Sequence, residues 1–184
     1  QELETIWSVK CRVCLCDAGN HRDVAQLFST IDSLDVLVNN AGISYFGLIQ
    51  DMSFSDWDKV MSTNLNSCFY TVKYAVPLML AQGQGRIINI SSVWGNTGAS
   101  METAYSASKG AVNAFTRALA KELAPSNIQV NAAAFGVIDT DMNRCFTEEE
   151  RKQITEEIPT GRMGSSEEAA RLVLQLVCSP ADLT

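Results

Sequence analysis

Apolar positions along this chain fall into two rhythms. Leu34-Asp35-Val36-Leu37-Val38 and Arg86-Ile87-Ile88-Asn89-Ile90 are short, almost wholly apolar runs, as strands covered on both faces of a parallel sheet are. Ile128-Gln129-Val130-Asn131-Ala132 predicts another strand, and Val9 to Cys16 an earlier one ending at Asp17. Between them the apolar spacing changes to three and four residues. Val24, Leu27, Phe28 and Ile31 predict a helix from His21 to about Ile31, with Asn20 as its cap. Trp57, Val60, Met61, Leu65, Phe69, Val72, Val76 and Leu80 predict a helical region opened by Ser53 or Ser55 and running to about Gln82, kinked at Pro77. Small and apolar residues from Ala104 to Ala124 predict a third helix, stopped by Pro125. Thr147 and Glu150 form a capping-box pair, and Ser165 or Ser166 opens a last helix from Glu167 to Cys178. Glu2 to Ile6 reads as the tail of a helix. Strand alternating with helix predicts an α/β fold with a doubly wound parallel sheet. No repeat or linker interrupts it, so residues 1–184 read as one domain.

Composition excludes several classes. Apolar residues make up 46% and charged residues 19%, which suits an ordinary globular chain. The net charge is −7 and no basic run exists, so neither nucleic acid nor an anionic membrane is an expected partner. No apolar stretch has the length of a membrane span and no secretory pattern opens the chain, which makes the cytoplasm the expected compartment. Six cysteines include Cys11, Cys14 and Cys16 in a strand-like segment, where alternation points Cys14 and Cys16 to one face and Cys11 to the other. No second cluster supplies metal ligands, and His21 is the single histidine. Buried thiols, and not a metal site or a Ser-His-Asp triad, are the expectation.

The candidate chemistry lies in Ser91 to Lys109. The Arg86–Ile90 strand delivers Ser92 to a loop, and the following helix carries Tyr105 and Lys109 one turn apart, about 6 Å along the axis. A cation beside a phenol favours the phenolate and is expected to lower a pKa that ordinarily lies near ~10. A serine hydroxyl at the strand end can hold a carbonyl oxygen against that phenol. Such a set suits carbonyl reduction or alcohol oxidation when a hydride source lies opposite. A Tyr-x-x-x-Lys pair by itself is usually a surface contact, so its company decides.

That company is specific. Asn39-Asn40-Ala41-Gly42 follows a central strand, where open α/β sheets bind ligands, and small Ala41 and Gly42 let backbone approach a ribose or nicotinamide. Asn64, Ser92, Tyr105 and Lys109 follow in order, with thirteen residues from Ser92 to Tyr105, and Gly161-Arg162-Met163-Gly164 precedes Glu167-Glu168. With these motifs the chain resembles the short-chain dehydrogenase/reductase family. The resemblance implies a Rossmann-type sheet, NADH or NADPH as cofactor, and a homodimer or homotetramer built on the two long helices. It makes Tyr105 the proton donor, Ser92 the group that orients the carbonyl, Lys109 a ribose ligand, and Asn64 the holder of a water leading to Lys109. Asn40, Ala41, Gly42, Tyr105, Gly136, Ile138 and Thr140 would line the cofactor, with Thr140 on the carboxamide. Phe135-Gly136 stands where the family usually has Pro-Gly. Asp17 would contact adenine, although a helix-entry turn reads equally well. Residues 143–158 would form a lid. The family's Gly-rich phosphate turn, within its first βαβ portion, and its final strand have no counterpart in this sequence. Two strands would therefore be lacking beside the Val9–Cys16 strand, which leaves it without a ladder partner.

Within the family, the pattern looks closest to the 3-oxoacyl-acyl-carrier-protein reductases, whose ketone is thioester-borne. The loops Gln82–Gly85 and Pro125–Asn127 hold no Lys or Arg, which argues against docking an acidic carrier protein. The stretch from Ser91 to Lys109 also resembles the elongation factor P 5-aminopentanone reductase branch, whose substrate is a protein-borne amino ketone. Glu102 would then meet the ammonium and Trp94 line the substrate, with a solvated loop carboxylate as the even alternative for Glu102. A small-molecule ketone is the third form of substrate. A non-catalytic binding relative without the nucleotide cradle is the alternative of another class, and the intact Asn64, Ser92, Tyr105 and Lys109 argue against it.

Overall fold

The computed structural model describes residues 4, 6, 8–143 and 146–179. Three strands, β1 (Val36–Asn39), β2 (Gly85–Ser92) and β3 (Ile128–Phe135), pair in parallel in the order β1-β2-β3. The register sets Asn39 beside Asn89 and Ser92 beside Phe135. All three strands thus release their following loops at one edge of the sheet. Seven helices accompany them among the described residues: α1 (His21–Phe28), α2 (Phe54–Met61), α3 (Ser67–Gln82), α4 (Trp94–Thr97), α5 (Thr103–Leu123), α6 (Glu148–Glu157) and α7 (Ser166–Cys178).

The apolar rhythm places these helices on both faces. Val24 and Phe28 of α1, Val72, Ala75 and Met79 of α3, and Leu119 and Leu123 of α5 pack against Ile87, Ile128 and Val130. Arg86 alternates with Ile87 and so leaves the other face, where its guanidinium donates to the Leu176 carbonyl of α7 at 3.1 Å. Ile87 and Ile88 are both fully buried, which accounts for the unbroken apolar run in β2. Each fully buried aliphatic side chain of this kind contributes about 1.5–3 kcal/mol.

The caps are those the sequence predicts. Asn20 accepts from the Arg22 amide, Ser53 from the Asp56 amide, and the Thr147/Glu150 and Ser165/Glu168 pairs close reciprocal capping boxes. α1 stops at Phe28, three residues early, because Ser29 and Thr30 turn their hydroxyls back onto the Gln26 and Leu27 carbonyls. Pro77 is accommodated inside α3. Among the described residues, no helix is long and apolar enough to cross a membrane.

One predicted strand is corrected. Residues 9–16 are not a strand, and Val13 and Leu15 are 90% and 106% exposed. A strand needs a neighbour for its backbone groups, and the sheet offers this segment none. It is tied instead through Arg12, which donates to Thr30. The expected alternation of thiols fails with it: Cys14 is exposed, while Cys11 and Cys16 are half-buried. Of the predicted N-terminal helix tail, Glu4 and Ile6 are helical and the rest lies outside the described residues, as does Cys145.

A polar chain crosses the core just below the loop edge. The Thr71 hydroxyl reaches Asn39 Oδ1 at 2.7 Å, Asn39 Nδ2 donates to Asn89 Oδ1 at 2.9 Å, and Asn89 Nδ2 donates to Thr116 Oγ1 at 2.9 Å. It joins α3, β1, β2 and α5 with every amide paired. Replacing Asn89 by Leu strands the Asn39 amide in a dry site, where a lost partner costs about 1–3 kcal/mol. The urea midpoint is expected to fall accordingly, and an unchanged midpoint would refute the network's contribution.

Candidate active site

Ser92 is the last residue of β2 and is buried. The Trp94 amide, opening α4, donates to its Oγ at 3.2 Å, which fixes the hydroxyl at the strand end. Tyr105 and Lys109 lie in the first two turns of α5. Lys109 is only 4% exposed; its ammonium donates to the Ile90 carbonyl at 2.8 Å and stands 5.6 Å from the Tyr105 ring centroid. Strand β2 therefore supplies both the hydroxyl and the carbonyl that anchors the ammonium.

Asn64 sits in a widened, π-type turn, Ser62–Asn66, that breaks the long predicted helix into α2 and α3. Its side chain is fully buried and fully engaged. Oδ1 accepts from the Ile43 amide at 2.8 Å, and Nδ2 reaches the Ile43 carbonyl at 2.8 Å and Ser108 Oγ at 3.0 Å. Asn64 thereby pins the loop after β1 to α5, and Gly42 is brought to the ammonium. A Cβ at Gly42 would stand 3.4 Å from Lys109 Nζ and 3.5 Å from Asn64 Oδ1.

The electrostatics differ from the sequence expectation. Burial pushes the Tyr105 phenol above its ordinary pKa, the Ser92 hydroxyl offsets part of that, and the negative Glu102 adds to the rise. Burial also pushes Lys109 below the usual lysine range, with Cys68 opposing. The expectation that Lys109 lowers the tyrosine is thus corrected: removal of the phenol from water dominates, and the opposing effect comes from the Ser92 hydroxyl. Glu102 is itself half-buried and raised by that burial, against the hydrogen bond that the Ser44 hydroxyl donates to it at 2.9 Å.

The other predicted residues occupy the loop edge or lie beside it. Asn40 and Ala41 are exposed after β1, and Gly136 and Thr140 are exposed after β3. Ile138 is half-buried and forms a parallel bridge with Gly164. Trp94 is half-buried at the start of α4. Asp17 accepts the Gly19 amide at 2.9 Å in the turn leading to α1, so the structure places it in a helix-entry turn. That turn reaches the site's periphery through the Ser62 hydroxyl, which donates to the Gly19 carbonyl at 2.9 Å. Sequence reasoning missed Ser44, Gly95 and Ser108. Ser108 has the one usable signal, a small hydroxyl three residues after Tyr105 on the buried side of α5, where it donates to the Tyr105 carbonyl at 2.7 Å.

A model of the family described as short chain dehydrogenase matches residues 1–151. The chain belongs to that family. Among curated relatives, it is 46% identical over 165 residues to the 3-oxoacyl-acyl-carrier-protein reductase FabG of Aquifex aeolicus (strain VF5), covering 90% of this chain and 66% of that protein. It is 37% identical over 171 residues to the uncharacterized oxidoreductase YmfI of Bacillus subtilis (strain 168), covering 92% and 71%. With nodulation protein G of Azospirillum brasilense it shares 43% over 153 residues, covering 83% and 62%. The aligned part thus spans about two thirds of these short chain dehydrogenase relatives. Parallel strands releasing their loops at one edge, with Ser92, Tyr105 and Lys109 gathered there, are the Rossmann-type arrangement that the family resemblance implies.

Proposed function

We propose that these residues form the catalytic part of a nicotinamide-dependent reductase that converts a thioester-borne 3-oxoacyl ketone to its secondary alcohol. One observation carries the chemistry: a fixed serine hydroxyl, a phenol and a buried ammonium converge at the carboxyl edge of the sheet. The named activity of the Aquifex aeolicus relative supports the substrate class.

The residues present fit a nicotinamide cofactor. Gly42 brings bare backbone beside the Lys109 ammonium, where even an added Cβ would already be in contact with Nζ at 3.4 Å. Lys109 has three donors, of which the Ile90 carbonyl takes one. Asn40, Ala41, Gly42, Lys109, Gly136, Ile138 and Thr140 would hold the group. When bound, it supplies the hydride. Ser92 donates a hydrogen bond to the ketone oxygen and orients it. Tyr105 delivers its phenolic proton to the same oxygen as that oxygen becomes an alkoxide. Asn64 holds the loop after β1 in place and keeps Gly42 at the ammonium.

Self-association has support of its own, since Phe69 and Leu80, three helical turns apart on α3, are each about half exposed (49% and 48%). A second substrate, a lysine-borne amino ketone, is favoured by one observation, the half-buried Glu102 carboxylate one turn before Tyr105. The test follows NADPH and NADH absorbance with the purified protein and a 3-oxobutanoyl thioester. Saturable oxidation of one nucleotide is the expected result. No oxidation of either, together with no nicotinamide binding by fluorescence, would overturn the enzyme reading. Binding with turnover of an amino ketone alone would favour the second substrate.

A further inference from the structure

The loops after β1 and β3 meet across the site. Phe46 follows β1 and Phe146 follows β3, so a contact between them joins loops that leave the two outer strands at the edge where β2 also ends, at Ser92. That contact is aromatic: Phe46 and Phe146 pack edge-to-face, with ring centroids 6.2 Å apart at 89°. Phe46 is 56% exposed and so is not a core residue.

Both rings are held from behind. The Gly47 amide donates to the Met101 carbonyl at 2.8 Å, and Ser44 bonds Glu102, so the loop bearing Phe46 is clipped to the segment that leads into Tyr105. Met101 adopts a left-handed backbone (φ 64°) that turns its carbonyl to this contact, an uncommon conformation for a residue with a side chain. Phe146 precedes α6, which Arg151 anchors through Asp139 at 2.7 Å and through the Asn143 carbonyl at 3.4 Å. Asn143 in turn donates to the Ile138 carbonyl at 2.6 Å. The pair therefore bridges two braced loops.

We propose that Phe46 and Phe146 form a bridge that selects the substrate by its chain. This rests on the reductase reading. A ketone whose oxygen is held by Ser92 and Tyr105 has its substituents leaving the site beneath or beside this bridge. Two aromatic rings offer such a substituent an apolar wall. The wall fits a ketone with a long aliphatic arm better than one with a methyl group.

The experiment compares KM and kcat for 3-oxobutanoyl and 3-oxododecanoyl thioesters of N-acetylcysteamine. Phe46→Ala and Phe146→Ala are each expected to raise KM for the twelve-carbon ketone about tenfold, with less than about twofold change for the four-carbon one. Phe46→Leu, which keeps apolar bulk, should recover most of the loss. The double variant should be little worse than either single one, because each substitution already opens the bridge. Equal effects on both chain lengths, or none, would overturn the selecting role while leaving the reductase intact. No turnover of either thioester by the unsubstituted protein would overturn the reductase reading, and the selecting role would fall with it.

Discussion

Tyr105→Phe is expected to remove the proposed ketone reduction almost entirely, with kcat falling about 10³-fold while the fold and nucleotide affinity are kept. A positioned general acid contributes about 10²–10⁴-fold, and the described site offers no second acid in the same place. Lys109 is buried, is held by the Ile90 carbonyl and is depressed in pKa, so it reinforces the phenol's setting and does not replace the phenol. Ser92 has its hydroxyl tied to the Trp94 amide and is too weak an acid for the task. The ring of Phe fills the same half-buried space, so stability should change by less than about 1 kcal/mol. Steady-state rates beside a urea melt check both halves of this expectation. A variant retaining more than a tenth of the activity would show that the proton comes from elsewhere.

The same residue sets the pH dependence. Burial, and then Glu102, raise the Tyr105 pKa. A raised pKa means that the protonated phenol, the form needed for reduction, persists beyond the ordinary tyrosine range. kcat/KM for reduction should stay level through neutral pH and fall only where the phenol ionises. Glu102→Gln removes a negative charge that disfavours the phenolate, so that fall should move to lower pH. A shift to higher pH would contradict the assigned sign.

Much of this is legible in the sequence, for reasons specific to each element. β2 is an apolar run because helices cover both of its faces, and local sequence records that burial directly. Ser53, Thr147 and Ser165 cap helices because a side-chain oxygen a few residues from an amide needs nothing distant. Tyr105 and Lys109 share a face because helical geometry requires it. The failures all depend on partners remote in sequence. Residues 9–16 have strand-like side chains, but a strand exists only with a neighbour. The direction of the Tyr105 pKa could not be read from Lys109 four residues on, because it is set first by how deeply the packed chain buries the phenol. Ser44 meets Glu102 across fifty-eight residues, and no periodicity announces such a pair. Phe46 and Phe146 are joined only by the strand order.

Gly95→Ala is expected to damage both stability and catalysis, although the added group is one methyl. Its Cβ would lie 2.6 Å from the Lys109 carbonyl carbon, 2.8 Å from the Gly110 nitrogen and 2.9 Å from the Lys109 oxygen. These are backbone atoms of α5, which cannot rotate aside as a side chain could. Across the same crossing, a Cβ at Gly110 would stand 3.1 Å from the Gly95 carbonyl oxygen, so α4 and α5 touch backbone to backbone. Relief requires the two helices to part. Overpacking of this kind costs about 1–3 kcal/mol. The atoms pushed belong to Lys109 itself, and Ser91 is hydrogen-bonded to the same carbonyl at 3.3 Å. A displacement on the order of 1 Å at a catalytic group costs about 10²-fold in rate. Gly83→Ala is the control: it ends α3 at φ 72° with nothing near its Cβ, and it lies at the opposite end of β2. It should lose about 1 kcal/mol for its left-handed backbone and keep full kcat. Equal activity in the two variants would mean that the α4–α5 crossing does not position Lys109.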